Sequence, residues 1–319
     1  MQEKGIMKYI YKGAIILALL LFVCYVASFG ARYLWFLDLL RHFIFQYFIG
    51  AITLGVFFTW RKSKIWTGIM FFTALMTGGE IMAVTYTLNH NNSEGTLKVA
   101  LYNKLYFSQN HDLMIKWIKQ ESPDIIIIQE ADPESSKRVK ELTEYPYLVE
   151  KIPDNPFGFI LLSKLPIIDF KIGTIKKHIF NNVYVKATLN TGTDSNISLY
   201  SAHPVPPMSY KFQIQRNNDI DFMAELIKND DSKNIIFMGD FNITPYSPFF
   251  KDIIKETKLK NKYTSILPPP SWTTQFYNYI FQIPIDHILH KGNLELVDKY
   301  RGPAMGSDHY PLIATFALQ

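Results

Sequence analysis

Residues 237–248, "FMGDFNITPYSP", pass from an apolar run into a carboxylate, an amide and a segment rich in turn residues. The apolar run is typical of a buried strand, and side chains two positions apart on an extended chain share a face. Asp240 and Asn242 are therefore expected to point the same way at the edge of a sheet. A simple polar strand end would give the same pattern, so the interpretation depends on the other strands.

Other apolar runs in the second part of the chain also meet polar side chains at one end. Those that end in polar groups are "LKVALYN" at Asn103, "DIIIIQE" at Glu130 and "NISLYSAH" at His203, and those that begin with them are "IDHILH" at Asp286 and "SDHYPLIATFAL" at Asp308 and His309. Strands of the two kinds share one rim when they run in opposite directions. The pattern predicts a largely antiparallel sheet system, with helices between some strands and all of these groups on one rim.

The oxygen-bearing side chains at this rim suit a divalent metal and a phosphate. Asn103, Glu130 and Asp308 offer hard oxygen ligands for Mg²⁺ or Mn²⁺. Asp240 can orient or deprotonate a water molecule, and Asn242 can donate to a phosphoryl oxygen that gains charge in the transition state. These are the residue types that metal-assisted attack of water on phosphorus requires.

Two histidines extend the same chemistry to proton transfer. An acceptor such as Asp286 beside His309 would fix the tautomer of the imidazole and favour its cationic form. His203 offers a second imidazole for proton transfer or for contact with phosphate. The residues alone leave open whether Asp240 or His309 acts as the base.

The residues before about 88 are dominated by apolar runs. Three of these runs carry no charged residue apart from Glu80 and approach the length that crosses a bilayer: 13–30, 43–60 and 65–88. The first also fits a signal peptide, but the later two would hold a cleaved chain in the membrane. Glu80 is either a functional group or a side chain that reaches water near its helix end. We expect a membrane anchor with three transmembrane helices at 1–88, a linker at 89–96 and a soluble domain at 97–319.

Basic residues beside these runs predict which way the anchor faces. They precede the first run and lie between the second and third: Lys4, Lys8, Lys12, Arg61, Lys62 and Lys64. Basic residues stay on the cytoplasmic side of a membrane, so three crossings place the soluble domain on the extracytoplasmic side.

The charge distribution argues against a broad nucleic-acid surface. From residue 97 onward, 25 Lys and Arg are matched by 24 Asp and Glu, whereas the first 96 residues hold eight basic and four acidic side chains. The soluble domain is nearly neutral and lacks the basic surface usual for nucleic-acid binding, although a local basic strip can hide in such a total. Cys24 is the single cysteine of the chain, so the soluble domain forms no disulfide of its own.

The motifs of the soluble domain, in their order along the chain, closely resemble those of the endonuclease/exonuclease/phosphatase superfamily. They are Asn103, "QE" at Glu130, "GFILLSKLPI", "SAHPVPP", "GDFN", "IDHIL" and "GSDHYP". The resemblance covers residues 97–319 and implies an α/β fold, a four-layer sandwich of two mixed β-sheets flanked by helices. It also implies that residues 97–319 form the catalytic domain of a Mg²⁺-dependent hydrolase of phosphoric esters.

The resemblance implies a role for most of the motif residues. The implied roles are a metal ligand for Glu130 with Asn103 close to it, water activation for Asp240, a phosphate clamp for Asn242 and an oriented pair for Asp286 and His309. His203 would match the histidine present in the nuclease and sphingomyelinase branches.

One departure from the family pattern limits the range of expected substrates. Many branches have Thr or Ser before the histidine, whereas this chain has Ala202, and "HPVPP" follows. With the anchor, this looks more like membrane-bound bacterial members, including the teicoplanin-resistance type, associated with removing phosphate from polyprenyl diphosphate lipids. We therefore expect a phosphoesterase of the bacterial cytoplasmic membrane that acts on a lipid-linked phosphate. The alternatives are an extracytoplasmic nuclease for DNA or RNA, a phospholipase C or sphingomyelinase, and a non-enzymatic binding module.

Two further expectations concern side chains near these motifs. The aromatic segment before Asp286 would mostly fill the core of a hairpin, whereas Trp272 and Phe276 are expected on a rim that faces a lipid tail. Arg216, in a helical pattern after His203, is expected to form a surface salt bridge.

Overall fold

The computed structural model describes residues 2–85, 96–175, 181–192, 196–265, 267–274 and 281–318. The chain forms two compact units. Met1–Val84 and Tyr246–Pro248 make up the first, which we call the helical unit, and Thr85–Pro245 and Phe249–Gln319 make up the second, the sandwich unit. The predicted linker at 89–96 lies, apart from Thr96, outside the described residues.

The described part of the helical unit contains four α-helices. They are α1 (Gln2–Ala27), α2 (Trp35–Arg41), α3 (Ile44–Trp60) and α4 (Lys64–Val84). By length and composition α1 and α4 could each cross a membrane, and α2 with α3 qualifies only as a pair bent by 61°. The expectation of about three spans is thus supported as two or three, because the chain breaks at His42 and Phe43, where the second predicted span begins.

The charge of Glu80 in α4 is balanced inside the helical unit. Its carboxylate meets the guanidinium of Arg41 at two points, with Nη1 3.2 Å from Oε1 and Nη2 against Oε2. Tyr25 donates a hydrogen bond to the same carboxylate at 3.0 Å. A paired charge costs far less than a lone one in an apolar surrounding. The pair therefore explains how an ionisable residue is accommodated in an apolar helix.

The described part of the sandwich unit contains eleven strands. They are β1 (Thr96–Asn103), β2 (Ile125–Gln129), β3 (Tyr147–Lys151), β4 (Phe159–Ser163), β5 (Ile167–Ile175), β6 (Asn182–Leu189), β7 (Ile197–Ala202), β8 (Asn234–Asp240), β9 (Asp286–Lys291), β10 (Leu294–Arg301) and β11 (Leu312–Leu318). The first sheet has the order β10-β11-β1-β2-β4-β3 and the second the order β5-β6-β7-β8-β9.

Helices cover the outer faces of the two sheets. They are α5 (His111–Glu121), α6 (Pro133–Val139), α7 (Tyr210–Lys228) and α8 (Pro248–Thr257). Alternating side chains of β1 separate the layers: Val99 and Leu101 lie between the sheets, whereas Ala100 and Tyr102 pack toward α5 and α6. On the second sheet Phe237 packs with side chains of α7 and α8. This confirms the predicted α/β fold of two mixed sheets flanked by helices.

Strand direction brings the polar strand ends to one rim. β1 is parallel to β2, and β7 is parallel to β8, whereas the other pairs in the described sheets are antiparallel. Asp240 at the end of β8 pairs with Asp286 at the start of β9, and the end of β1 lies beside the start of β11. The two parallel pairs make both sheets mixed, and the rim predicted from the strand ends is present.

Replacing Ile127 by Ala is expected to lower the free energy of unfolding by about 2–5 kcal/mol, because Ile127 is fully buried between the sheets and its loss leaves a cavity. Ile168→Ala is the matched control, since Ile168 is 54% exposed, and it should change stability by less than about 0.5 kcal/mol. Denaturant unfolding of the full chain in detergent measures both. Equal losses in the two variants would contradict this placement of the core.

Asp219 gives the sandwich unit a pH-dependent weakness. Burial raises the pKa of its carboxyl to about 7, against a hydrogen bond from Asn182 that acts to lower it. An unfolded Asp has a pKa of about 3.9, so the folded state binds more protons and loses stability as the pH rises from about 4 to about 7. Asp219→Asn should therefore be more stable than the wild type, by a margin that grows over this range and levels off above it. Unfolding curves at several pH values test this, and a constant margin would contradict it.

Candidate active site

The rim is built around a side chain that joins the two sheets. Gln129, the last residue of β2, donates from Nε2 to the carbonyl of Ala202 at 2.9 Å and accepts at Oε1 from the backbone N–H of Asp240 at 2.8 Å. Gly239 makes this approach possible, because a Cβ atom there would lie 2.1 Å from the carbonyl oxygen of Ala202 and 3.0 Å from Gln129 Nε2. The end of β2 is thereby fixed against the ends of β7 and β8.

Glu130 follows this junction and turns its carboxylate into the site. Its φ of 55° lies in the left-handed region, which is uncommon for a residue with a side chain and costs energy. Oε1 accepts from Asn103 Nδ2 at 2.9 Å, and Oε2 accepts from the backbone N–H of Tyr106 at 2.9 Å. These two donors hold the carboxylate where the strained backbone places it.

Asn103 lies between two carboxylates. Its Nδ2 group contacts Asp240 Oδ2 at 3.1 Å as well as Glu130, and its Oδ1 atom accepts from the backbone N–H of Leu105 at 3.0 Å. The Nδ2 group of Asn103 thus faces the site. It holds the carboxylates of Glu130 and Asp240 in fixed positions relative to each other.

Asp240 and Asn242 meet through a turn and not through a shared strand face. β8 ends at Asp240, and Asn242 has a φ of 51°, a conformation that Asn tolerates better than most residues. The backbone N–H of Asn242 donates to Asp240 Oδ1 at 2.9 Å, and its side-chain amide donates to the carbonyl of Pro204 at 3.0 Å. The extended geometry expected from their spacing is therefore wrong, although the two groups are neighbours.

The imidazole of His309 connects Asp286 and Asp240. Its Nδ1 atom lies 2.8 Å from Asp286 Oδ2, and its Nε2 atom lies 3.5 Å from Asp240 Oδ2. Burial alone would lower the pKa of His309, but the charges of Asp286 and Asp240 raise it to about 10. The backbone N–H of Asp286 donates in turn to Ser271 Oγ at 3.0 Å, which fixes the start of β9.

His203 reaches the same carboxylates from the end of β7. Its Nε2 atom lies 3.4 Å from Asp240 Oδ2 and 3.8 Å from Glu130 Oε1. Burial alone would lower the pKa of His203, but its hydrogen bond to Asp240 and the charges of Asp240 and Glu130 raise it. For Asp240, burial alone would raise the pKa, but His309 and His203 hold it below its usual range. The site therefore places one carboxylate between two imidazoles that favour its anionic form.

Asp308 lies beside this cluster. Its Oδ2 atom accepts from the indole N–H of Trp272 at 3.0 Å, and the neighbouring Ser307 donates to the carbonyl of Asn103 at 2.8 Å. The structure thus gives Trp272 a defined polar partner at the rim. Phe276, which was expected to share that rim, lies outside the described residues.

The oxygen atoms around Glu130 fit a divalent cation. Each oxygen of Glu130 accepts one N–H, which leaves a lone pair on each for a metal. Asp240, Asp286 and His309 also bring possible ligand atoms within 4.8 Å of one another. An imidazole must be neutral to bind a metal, however, and the pKa of His309 is raised to about 10. The oxygen atoms of Glu130 are therefore better ligands for a divalent cation than the group formed by Asp240, Asp286 and His309.

Some contacts that shape the site are not visible in the sequence. Gln129 stands beside Glu130 in "QE", but only the sheet packing reveals its two contacts. Arg216, expected at the surface, is fully buried and donates from Nη1 to the carbonyl of Asn242 at 3.0 Å. The nearby His287 lies 2.7 Å, at Nε2, from the carbonyl of Ile243. A helical pattern in the sequence does not indicate which polar residues of α7 face inward.

The chain belongs to the Endonuclease/Exonuclease/phosphatase family, whose model matches residues 87–309. Enzymes of this family hydrolyse phosphate esters and generally depend on divalent metal ions. The match spans more than half of the chain and contains every residue of the rim described above. No curated protein sequence matches the chain.

Solved structures share the fold at low sequence identity. Truncated Caenorhabditis elegans TDP2 has a TM-score of 0.59 and 13% identity over 71% of this chain and 100% of that chain. A Bacteroides thetaiotaomicron endonuclease/exonuclease/phosphatase family protein has a TM-score of 0.58 and 14% identity over 70% and 98%. D. rerio TDP2 complexed with single strand DNA product has a TM-score of 0.57 and 13% identity over 70% and 99%. At these identities the likeness establishes the fold alone.

Gln129→Met is expected to damage the site more than the fold. The variant leaves the N–H of Asp240 and the carbonyl of Ala202 buried without a partner, which costs about 1–3 kcal/mol for each group. It also releases Asp240 from its position, and a misplacement of about 1 Å can reduce turnover by about a hundredfold. Hydrolysis of a chromogenic phosphodiester and denaturant unfolding measure the two effects.

The matched control for this prediction is Gln120→Met, since Gln120 is exposed on α5. It should leave turnover and stability unchanged. Wild-type turnover in folded Gln129→Met would contradict the role given to the bridge.

Proposed function

We propose that this chain is a membrane-anchored, metal-dependent phosphoesterase that acts on a lipid-linked phosphate or diphosphate, such as a polyprenyl diphosphate. The observation that carries the proposal is the presence, in one chain, of a family site with all its polar groups and of helices apolar enough to cross a membrane. A tethered site meets membrane lipids at a raised effective concentration. The resemblance of "HPVPP" to membrane-bound bacterial members supports the same substrate class.

In this proposal Glu130 and Asp308, with Asn103 beside them, hold Mg²⁺ or Mn²⁺. The ion would neutralise charge on a phosphoryl oxygen and on the leaving group. Asn103 keeps the Glu130 carboxylate aligned with Asp240 through its two donor contacts. The role of the protein here is to fix these oxygen atoms before the substrate arrives.

The remaining polar residues act on water and phosphate. Asp240 and His309 lie close enough to share one water molecule, and Asp240, which His309 and His203 keep anionic, takes its proton as the water attacks phosphorus. Asp286 orients His309. Asn242 donates to a phosphoryl oxygen, and His203 contacts phosphate beside Glu130. Each of these roles requires the residue to lie on the common rim.

Exposed apolar side chains on two rim loops support a lipid substrate. Phe107, four residues beyond Asn103, is 76% exposed, and Met208, five residues beyond His203, is 75% exposed. Tyr210 is exposed as well. Exposed apolar side chains beside a binding site can contact a ligand, and a hydrocarbon tail next to the phosphate would cover these. The near-neutral charge from residue 97 onward also favours a lipid substrate over a nucleic acid.

We propose three crossings, with the sandwich unit on the extracytoplasmic or periplasmic side of a bacterial cytoplasmic membrane. α3 has 17 residues and a length of about 26 Å, close to the thickness of a hydrocarbon core. It can therefore cross without α2. The basic residues in the N-terminal part of α1 and around the connection from α3 to α4 then lie on the cytoplasmic side.

A nuclease is the second candidate. Several structures of similar fold are TDP2 proteins, and one of them is in complex with a single strand DNA product. A nuclease would bind DNA or RNA with a strong dependence on salt, because contacts to phosphates release counterions. A phospholipase C or sphingomyelinase activity is a third candidate, and release of a headgroup phosphate such as choline phosphate would identify it.

The purified full-length protein in detergent with Mg²⁺ is expected to release phosphate from a polyprenyl diphosphate and to leave supercoiled DNA intact. Asp240→Ala should lose at least about a hundredfold in rate, because it removes the carboxylate that faces His309 and His203. Removal of the metal with EDTA should abolish activity, and Mg²⁺ or Mn²⁺ should restore it.

Asp169→Ala is the control for Asp240→Ala, since Asp169 is exposed on β5. Nicking of DNA without phosphate release would reject the lipid substrate and support the nuclease. Full activity in Asp240→Ala would reject the site itself.

A further inference from the structure

The helical unit contains a buried polar cluster that the proposed reaction does not use. Asp38 and Arg41 lie one turn apart on α2, so their side chains leave the same face of the helix. Asp38 is fully buried, and Arg41 is 5% exposed. Charged groups in such surroundings are costly unless they are paired and hydrogen-bonded. Their partners therefore indicate what the cluster holds.

Both side chains bind the segment Tyr246–Pro248, which belongs to the helical unit. Arg41 donates from Nε to the carbonyl of Tyr246 at 3.2 Å, and Asp38 Oδ1 accepts from Ser247 Oγ at 2.7 Å. The ring of Tyr246 is buried in an apolar cluster of this unit with Tyr25 and Ile81 among its members. The segment is thus fixed by its backbone, by its hydroxyl and by its aromatic ring.

The contacts of the Arg41 Nη groups leave Nε for this segment. Its two Nη groups contact Glu80, and Nη1 also contacts Ser28 Oγ at 3.3 Å. The planar guanidinium therefore aims Nε at Tyr246, since the fork has a fixed geometry. Lysine in the same place would provide charge without that direction.

The held segment is continuous with the candidate active site. Tyr246 follows Asn242 by four residues, and Pro245 restricts the backbone between them. At the other end of this short stretch, Arg216 donates to the carbonyl of Asn242 and His287 contacts the carbonyl of Ile243. Only Ile243, Thr244 and Pro245 separate Asn242 from the held residues Tyr246 and Ser247 along the chain.

We propose that Asp38 and Arg41 are positioning residues for Asn242. They fix Tyr246 and Ser247 and so restrain the short stretch of chain that carries the amide of Asn242. The helical unit then contributes to the reaction itself, beyond attachment to a membrane. This inference rests on the proposed role of Asn242 in phosphate binding, and its first test needs no substrate.

The first test is amide hydrogen exchange of the full-length chain in detergent, read in peptides that cover residues 241–250. Ser247→Ala removes one hydroxyl and should raise exchange at residues 243, 244, 246 and 247 by about tenfold or more, because the segment opens more often. Arg41→Lys should do the same. Asp38→Asn keeps an oxygen that can accept from Ser247, so it should restore protection relative to Asp38→Ala.

Thr53→Ala is the control within the helical unit. The hydroxyl of Thr53 bonds to the carbonyl of Ile49 in its own helix, so exchange in 241–250 should not change. Unchanged exchange in both Ser247→Ala and Arg41→Lys would overturn the proposal. Ser247→Ala keeps the test valid if Asp38→Ala fails to fold.

The second test separates positioning from stability. With bis(p-nitrophenyl) phosphate as the probe, Ser247→Ala and Arg41→Lys should lose about tenfold in kcat per folded molecule, with KM within about twofold of the wild type. A merely structural role would reduce the folded fraction and leave kcat per folded molecule unchanged, which would overturn the proposal. If the wild type is inactive on the lipid, on DNA and on this probe, the proposed function fails, and the exchange result still decides whether the segment is held.

Discussion

Aliphatic side chains that pack between two sheets make contacts without direction, which leaves some freedom in the exact offset of the sheets. The amide of Gln129 removes this freedom at the rim, since its donor and its acceptor each meet a backbone group of the opposite sheet. Asp240 is thereby placed from the first sheet, although it belongs to the second. Glu130 follows Gln129 directly, so both carboxylates take their positions from one junction. Asn103 and His309, which belong to the first sheet and its edge, reach Asp240 across the same junction.

The site contains strained backbone and buried charged groups, and the rest of the fold offsets their energetic cost. Glu130 and Asn242 both adopt left-handed backbone conformations, and each is held by specific donors or acceptors. Buried carboxylates and imidazoles alternate, so that Asp240 stays anionic between His203 and His309. The apolar core between the sheets supplies the rigidity that keeps such a cluster from relaxing. A site of this kind is ready for an anionic substrate before that substrate binds.

Much of the fold was accessible from the sequence because strand ends carry a strong signal. The polar residues at the ends of apolar runs predicted the common rim, and the motif order predicted the family. The pairing of Asp240 with Asn242 was predicted from extended geometry, yet it depends on a turn whose left-handed residue no local pattern specifies. Arg216 appeared to be a surface residue, because a single arginine on a helix gives no sign of a buried partner on another element. The short helix α2 was not predicted either, because its seven residues include Asp38 and Arg41 and form no long apolar run.

The place of β1 in the first sheet has a consequence for biogenesis. β1 lies between β2 and β11, and residues 104–311 separate it from β11 along the chain. During synthesis β1 and β2 therefore emerge long before the strand that completes the hydrogen bonds of β1. An open, apolar strand edge is a template for aggregation. The edge of β1 that pairs with β11 therefore stays open until the C-terminal part of the sandwich unit has been synthesised.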